Sequence, residues 1–150
     1  MNIMTKLFGE IGIDINKVIT FKAGLIGFKE YKQFMIIHDA EGEESKILWL
    51  QSIDEPDLAL PIINPLLIRP DYNPVVEDEL FRNIGEPDEE ELMVFVTLTV
   101  PADITQITSN LKAPIVVNPK TLKGCQLIVE NDEYPVRYPI YDILNNKEGN

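Results

Sequence analysis

Apolar positions in this chain come in short runs that alternate with polar ones or end on a turn residue. "VFVTLTV" (94–100) puts Val94, Val96, Leu98 and Val100 on one face of an extended strand. Phe95, Thr97 and Thr99 then fall on the other face. "KVITF" (17–21), "FMIIH" (34–38), "KILWLQS" (46–52), "LALPII" (58–63), "ELMVFVTLTV" (91–100), "PIVVN" (114–118) and "CQLIV" (125–129) are also rich in Val, Ile, Leu, Thr and aromatics. Such side chains fit a pleated, half-buried surface, so each run predicts a strand. Gly, Pro, Asn or Asp bounds several of them and supplies turn geometry.

Helical signals are few. "VVEDELFRNIG" (75–85) predicts a short helix, with acids in its first turn and Gly85 as a stop. "PDEEEL" (87–92) can add a turn before strand character resumes. The chain holds 11 prolines, which disfavour long helices. Strands apolar on one face and partly apolar on the other suit a sheet folded over itself. The expected class is mainly β: a small, strongly twisted, barrel-like antiparallel or mixed sheet with a few short helices. Residues 1–140 are read as a single β domain, and 141–150 as a polar C-terminal tail that frays.

Composition narrows the function. The 150 residues carry a formal charge of −12, and 45% are hydrophobic. A core is therefore within reach, and the composition is not that of a disordered chain. The charge argues against a nucleic-acid backbone or an anionic membrane as partner, since both need clustered Lys and Arg. A basic protein is attracted to such a surface, although the charge also serves solubility alone. One cysteine permits no internal disulfide and fits a reducing cytoplasm. "MNIMTKLFGE" lacks the apolar stretch of a signal peptide, and no run approaches a membrane span.

Catalytic constellations are missing. His38 is the sole histidine and ends "FMIIH" before an acidic turn, where a strand-end residue reaches solvent. A general base there needs partners that the sequence does not pair with it. Cys125 reads as a packing residue rather than a nucleophile. One His and one Cys do not make a zinc site. "GLIGF" (24–28) matches neither "GxGxxG" nor a P-loop and reads as a turn. No cofactor or metal is implied. The enzymatic alternative is a small-molecule barrel with a polar pocket near His38.

An acidic, turn-rich belt stands out instead. "SIDEPDLALP" (52–61) brings Asp54, Glu55 and Asp57, "RPDYNP" (69–74) brings Asp71, and "VEDELFRNIGEPDEEE" (76–91) brings Glu77, Asp78, Glu79 and further acids. Tyr72, Leu80 and Phe81 lie among them. Aromatic anchors within a charged rim describe an interface. A solvated acidic face whose aromatics pack inward describes the same residues.

"TSNLKAPIVVNPKTLKGCQLIV" (108–129) reads as a hairpin. Asn110 is expected to bond backbone at a turn. Pro114 and Pro119 bracket the first strand, and Gly124 is expected to permit the turn into the second.

Taken in order, "TKLFGE" (5–10), "VITFKAGLIGFKEYKQFMII" (18–37), "LQSIDEPDLALPIINPLLIRPDY" (50–72) and "TSNLKAPIVVNPKTLKGCQLIVENDEYPVRYPI" (108–140) resemble the bacterial flagellar assembly factor FliW family. The resemblance implies a small, barrel-like β fold and a non-enzymatic cytoplasmic regulator, monomeric when free. Its implied partners are CsrA, a small RNA-binding translational repressor, and flagellin. Flagellin occupies the regulator and leaves CsrA free to block flagellin translation. Once flagellin is secreted, the regulator captures CsrA away from its RNA-binding surface and relieves the block. A repressor that holds RNA is basic, so an acidic binder is steered to it. The residues expected to carry that contact are Asp54, Glu55, Asp57, Asp71, Glu77, Asp78 and Glu79, with Tyr72 and Phe81 as anchors.

Overall fold

The computed structural model describes residues 2–38, 46–74 and 92–146. Strands β1 (Asn2–Thr5) and β2 (Gly9–Gly12) form a separate hairpin. The rest are β3 (Ile19–Phe21), β4 (Gln33–Ile37), β5 (Ile47–Ser52), β6 (Ala59–Ile63), β7 (Met93–Thr99), β8 (Thr108–Ser109), β9 (Ile115–Asn118), β10 (Lys123–Gln126) and β11 (Tyr138–Pro139), followed by helix α1 (Tyr141–Asn146). Strands β7, β6, β5, β4, β3, β10 and β9 pair in that order, and β9 pairs back onto β7, closing a seven-stranded barrel. Closure leaves these strands no free edge. The β3–β10 pairing is parallel, with Lys123 opposite Thr20 and Gly124 opposite Phe21, and the others are antiparallel.

Alternation along each strand sends one set of side chains inward. Ile19, Phe21, Phe34, Leu50, Ile62, Phe95, Ile115 and Val117 form one buried cluster in the barrel. Phe21 and Phe34 meet edge to face, with centroids 5.6 Å apart and planes at 85°. Such a pair adds about 0.5–1.5 kcal/mol beyond burial. The Phe21 ring also explains Gly124. A Cβ there would lie 2.5 Å from Phe21 Cε1. Gly124 is therefore a strand residue that makes room for a ring, not the turn residue expected of it. The turn before β10 places its left-handed residue at Leu122, with φ of 57°.

A second cluster packs outside the barrel. Ile63, Val96 and Leu98 point away from the interior and meet Ile68, Tyr72, Ile107, Leu111, Val129, Tyr134 and Ile140. Strands β6 and β7 are thus covered on both faces, which is why Phe95 and Val96 are both buried. The segment that covers them includes β8, which extends the sheet from β7, and β11, which pairs with β8. Helix α1 closes it, with Tyr141, Ile143 and Leu144 against the outer cluster. In the tail expected over 141–150, these three side chains pack on the outer cluster, and 147–150 lie outside the described residues. The helix expected over 75–85 and the turn at 87–91 also lie outside them.

The strand expected over 125–129 starts two residues earlier and ends at Gln126. Leu127 and Val129 still donate backbone hydrogen bonds to Pro114 and Lys112, at 3.0 and 2.9 Å. Among the described residues, no helix is long and apolar enough to cross a membrane.

Candidate functional site

The β5–β6 connection carries Asp54, Glu55 and Asp57, and its shape is fixed from inside. Gln51 is fully buried on β5. Its Nε2 donates to the Ser52, Pro56 and Leu58 carbonyls at 2.9, 3.0 and 3.1 Å. Ser52 Oγ accepts from Glu55 N–H at 2.9 Å, and Leu58 N–H donates to the Glu55 carbonyl at 3.0 Å. The Asp54 carboxylate reaches the neighbouring strand, where its Oδ2 accepts from Lys32 and Gln33 N–H at 2.9 and 3.0 Å. Charge-assisted bonds to two backbone donors pin the loop to the start of β4. Glu55 Oε2 accepts from Asp57 N–H at 3.3 Å. Asp54 and Asp57 are exposed and Glu55 is half-buried. The result is a rigid turn that presents carboxylates to solvent. The β1–β2 hairpin sits beside it, with Lys6 N–H bonded to the Pro56 carbonyl at 3.3 Å and Phe8 against Trp49.

Asp71 and Tyr72 lie beyond the other end of β6. The five residues of β6, about 17 Å of extended chain, and a 3-10 turn at Pro65–Leu67 lie between the two acidic loops. Asp71 is exposed, its side chain 81% accessible, and pairs with Arg69 at 3.4 Å. Tyr72 faces the other way and is buried in the outer core. Its hydroxyl donates to the Leu111 carbonyl at 2.7 Å, and its ring lies 4.6 Å from that of Tyr134. Burial, and then the nearby Tyr134 phenol, push the Tyr72 hydroxyl well above the usual tyrosine range. Tyr134 Oη in turn accepts from Asn73 N–H at 2.8 Å. Arg69 lies over the rings of Tyr134 and Tyr138, 4.8 and 5.5 Å from their centroids. Its Nη1 donates to the Glu133 carbonyl at 3.3 Å. Tyr72 is thus a core residue in this structure and not an exposed aromatic anchor. Glu77, Asp78, Glu79 and Phe81 lie outside the described residues.

The residues weighed for chemistry are spread apart. His38 is exposed just past β4. It lines neither the cleft beside Pro65 and Met93 nor the one beside Gly24 and Cys125. Burial pushes the half-buried Cys125 thiol up to about 11, so it stays protonated near neutral pH. Asn110 bonds backbone as expected, its Oδ1 accepting from Lys112 N–H at 3.0 Å. "GLIGF" forms a tight turn, with Leu25 bridged to Phe28 and Gly27 at φ of 89°. Among the described residues, no cluster of three or more His, Cys, Asp and Glu could hold a metal ion.

The FliW protein family model matches residues 2–140. The chain belongs to the FliW family. A flagellar assembly factor FliW from Lachnospira eligens is 52% identical, over 99% of this chain and 100% of that one. Another, from Lachnoclostridium phytofermentans, is 48% identical over 98% and 95%. A crystal structure described as that of the flagellar assembly factor FliW superposes with a TM-score of 0.85 at 30% identity, covering 94% of this chain and 97% of that one. The FliW-like segments of the sequence are mostly scaffold. "LQSIDEPDLA" holds the Gln51 and Asp54 bonds that shape one acidic loop. "RPDY" holds the Arg69 and Tyr72 contacts that staple the C-terminal segment to β6 and β7.

Gln51, Arg69 and Tyr134 organise these loops, and sequence reasoning did not single them out. A glutamine inside "LWLQS" was the available signal for the first, because a polar residue in an apolar strand needs internal partners.

Proposed function

We propose that this chain is a non-enzymatic regulator of flagellar assembly. It binds the basic translational repressor CsrA through acidic surface and, separately in time, binds flagellin. The observation that carries the reading is the β5–β6 loop. Carboxylates stand on a turn locked by Gln51, Ser52 and Asp54, in a chain of net charge −12. A rigid loop loses little conformational entropy on binding. Surface charge raises the encounter rate with a basic partner and repels RNA phosphate from the same neighbourhood. Family membership supports the flagellar role, and in this reading the chain acts in the cytoplasm, where it would meet the repressor and flagellin before secretion. The alternative, a small-molecule or enzymatic barrel near His38, has no support among the described residues, since large side chains fill the barrel and His38 faces solvent.

Titration calorimetry of the purified chain with CsrA tests this. Binding is expected at low salt and weakens as salt rises, because charges are screened beyond about 8–10 Å near physiological ionic strength. Absence of a complex at low salt sinks the reading. Charge reversal belongs at Glu55 and Asp57 rather than Asp54, whose carboxylate also anchors the loop. The variant carrying Glu55→Lys and Asp57→Lys is expected to bind CsrA about tenfold more weakly with the fold intact. Unchanged affinity removes this loop from the interface. Adding flagellin to the preformed complex is expected to release CsrA.

A further inference from the structure

The charge of this chain is unevenly placed, and the exception is the parallel seam. The whole sequence has 25 acidic against 13 basic residues. From Ile15 to Lys29 it carries Lys17, Lys22 and Lys29 and no carboxylate. From Ile104 to Val129 it carries Lys112, Lys120 and Lys123 and again none. The fold sets these two carboxylate-free segments side by side, because β3 pairs with β10. Asp14, Glu30, Asp103 and Glu130 flank them in sequence.

The two strands part after Phe21 and Gly124. A cleft of about 540 Å3 opens there, between Lys22–Gly24 on one side and Gly124–Leu127 on the other. Its frame is rigid. Gln126 Oε1 accepts from Ile26 N–H at 2.8 Å, and its Nε2 donates to the Ala113 carbonyl at 3.0 Å. Gly24 has φ of 71°, and a Cβ there would stand 2.5 Å from the Lys29 backbone, so Lys29 is held against the rim. Lys22, Lys29 and Lys123 are exposed. Lys112 is engaged, its Nζ 3.0 Å from the Asn131 carbonyl. Ile26 and Ile128 are 50% and 63% accessible, apolar surface beside an apolar-walled cleft.

We propose that this seam is a second interaction surface, opposite in sign to the acidic loops, and that it takes an extended, acidic, amphipathic segment of a partner protein. Alternation in an extended segment puts apolar side chains toward Ile26, Ile128 and the exposed Ala23 of the cleft wall, and carboxylates toward Lys22, Lys29 and Lys123. Charge complementarity selects acid over base. Apolar walls favour a peptide over a nucleic acid, which needs a dense cationic track. The proposal stands whether or not CsrA binds the acidic loops.

The test uses the full chain, labelled with 15N, and a capped peptide alternating Glu and Leu. The peptide is expected to shift the amides of Ala23, Gly24, Gly124 and Gln126 in a saturable way. Lys22→Glu with Lys123→Glu is expected to weaken binding about tenfold, while Lys22→Arg with Lys123→Arg retains it. An all-Glu peptide is expected to bind at least about tenfold more weakly, having no apolar face. Several outcomes overturn the proposal. One is no shift at the cleft amides, and another is equal affinity for the charge-reversed variant or for the all-Glu peptide. Displacement of the same amides by oligouridylate with the same lysine dependence assigns the seam to RNA instead. Concentration-dependent doubling of mass that the reversed lysines abolish assigns it to self-association.

Discussion

The β5–β6 loop and the Arg69–Tyr72 segment read alike in sequence: both are acidic, proline-containing turns at the ends of β6. Their side chains point in opposite directions. In the first, Gln51 turns inward to bind three carbonyls, and the carboxylates of Asp54 and Asp57 stay at the surface. In the second, Asp71 stays outside while Tyr72 enters the outer core and bonds the Leu111 carbonyl. The first is a display loop with a buried brace. The second is a staple that happens to carry an exposed acid. Among the described residues the acidic belt is therefore two separate features, and of these two the loop at β5–β6 combines exposure with an internally bonded backbone.

Emptying the staple is the largest perturbation. Tyr72→Ala removes a buried ring that packs on Tyr134, and is expected to lower stability by about 3–5 kcal/mol in urea denaturation. A loss below about 1 kcal/mol would place Tyr72 outside the core and erase the contrast.

Removing the brace comes next. Gln51→Leu keeps the volume but leaves the Ser52, Pro56 and Leu58 carbonyls without their shared donor, although Leu58 also accepts from Ser52 N–H at 2.9 Å. The expected loss is about 1–3 kcal/mol. It is moderated because Gln51 Oε1 itself has no partner in the described structure. Amide exchange at Glu55 and Leu58 should accelerate, while exchange in β9 stays slow.

Tyr72→Phe is subtler and has a pH signature. The lost bond to the Leu111 carbonyl is expected to lower stability by about 1–2 kcal/mol near neutral pH. The folded state keeps Tyr72 protonated above its ordinary range. In the unfolded chain it ionises near pH 10, so above that pH the folded state holds the extra proton. Stability from this group is complete below about pH 10 and is lost as pH rises beyond it. Denaturation near pH 9 and pH 11 should show a smaller alkaline loss for Tyr72→Phe than for the native chain. Equal losses would refute the buried hydroxyl.

Asp71→Asn marks the small end. Its pair with Arg69 is exposed, and Arg69 keeps its contacts with Glu133, Tyr134 and Tyr138. The expected change is within about 0.5 kcal/mol by urea denaturation.

Much of this was legible in the chain. Alternation in "VFVTLTV" gave a strand with one apolar face and a partly apolar other face, which suited a sheet folded over itself; that Phe95 enters the barrel while Val96 and Leu98 pack outside it was visible only in the fold. The "GLIGF" turn and the Asn110 backbone bond followed from local geometry, because glycine and asparagine act within a few residues of themselves. The β1–β2 hairpin was not expected. Its strands are four residues each and partly exposed, so they lack the apolar alternation that announces a strand. The role of Gly124 was misjudged, and the choice between an outward and an inward Tyr72 was left open, for a related reason. Each is decided by a residue far away in sequence, Phe21 for one and Leu111 with Tyr134 for the other.

The sequence by itself determined the seven barrel strands, most of the turns between them, the net charge and the shortage of catalytic groups, since these depend on residue type and short-range spacing. Tertiary structure alone decided which residues meet across the barrel. Closure of β9 onto β7 joins residues 20 to 24 apart, and the parallel seam of β3 with β10 joins residues 103 apart. That seam gathers lysines on one side of an acidic protein. The two ends of β6 divide one acidic stretch into a display loop and a core staple. Long-range pairing is fixed by the packing of the whole core, so no single window of the chain contains it.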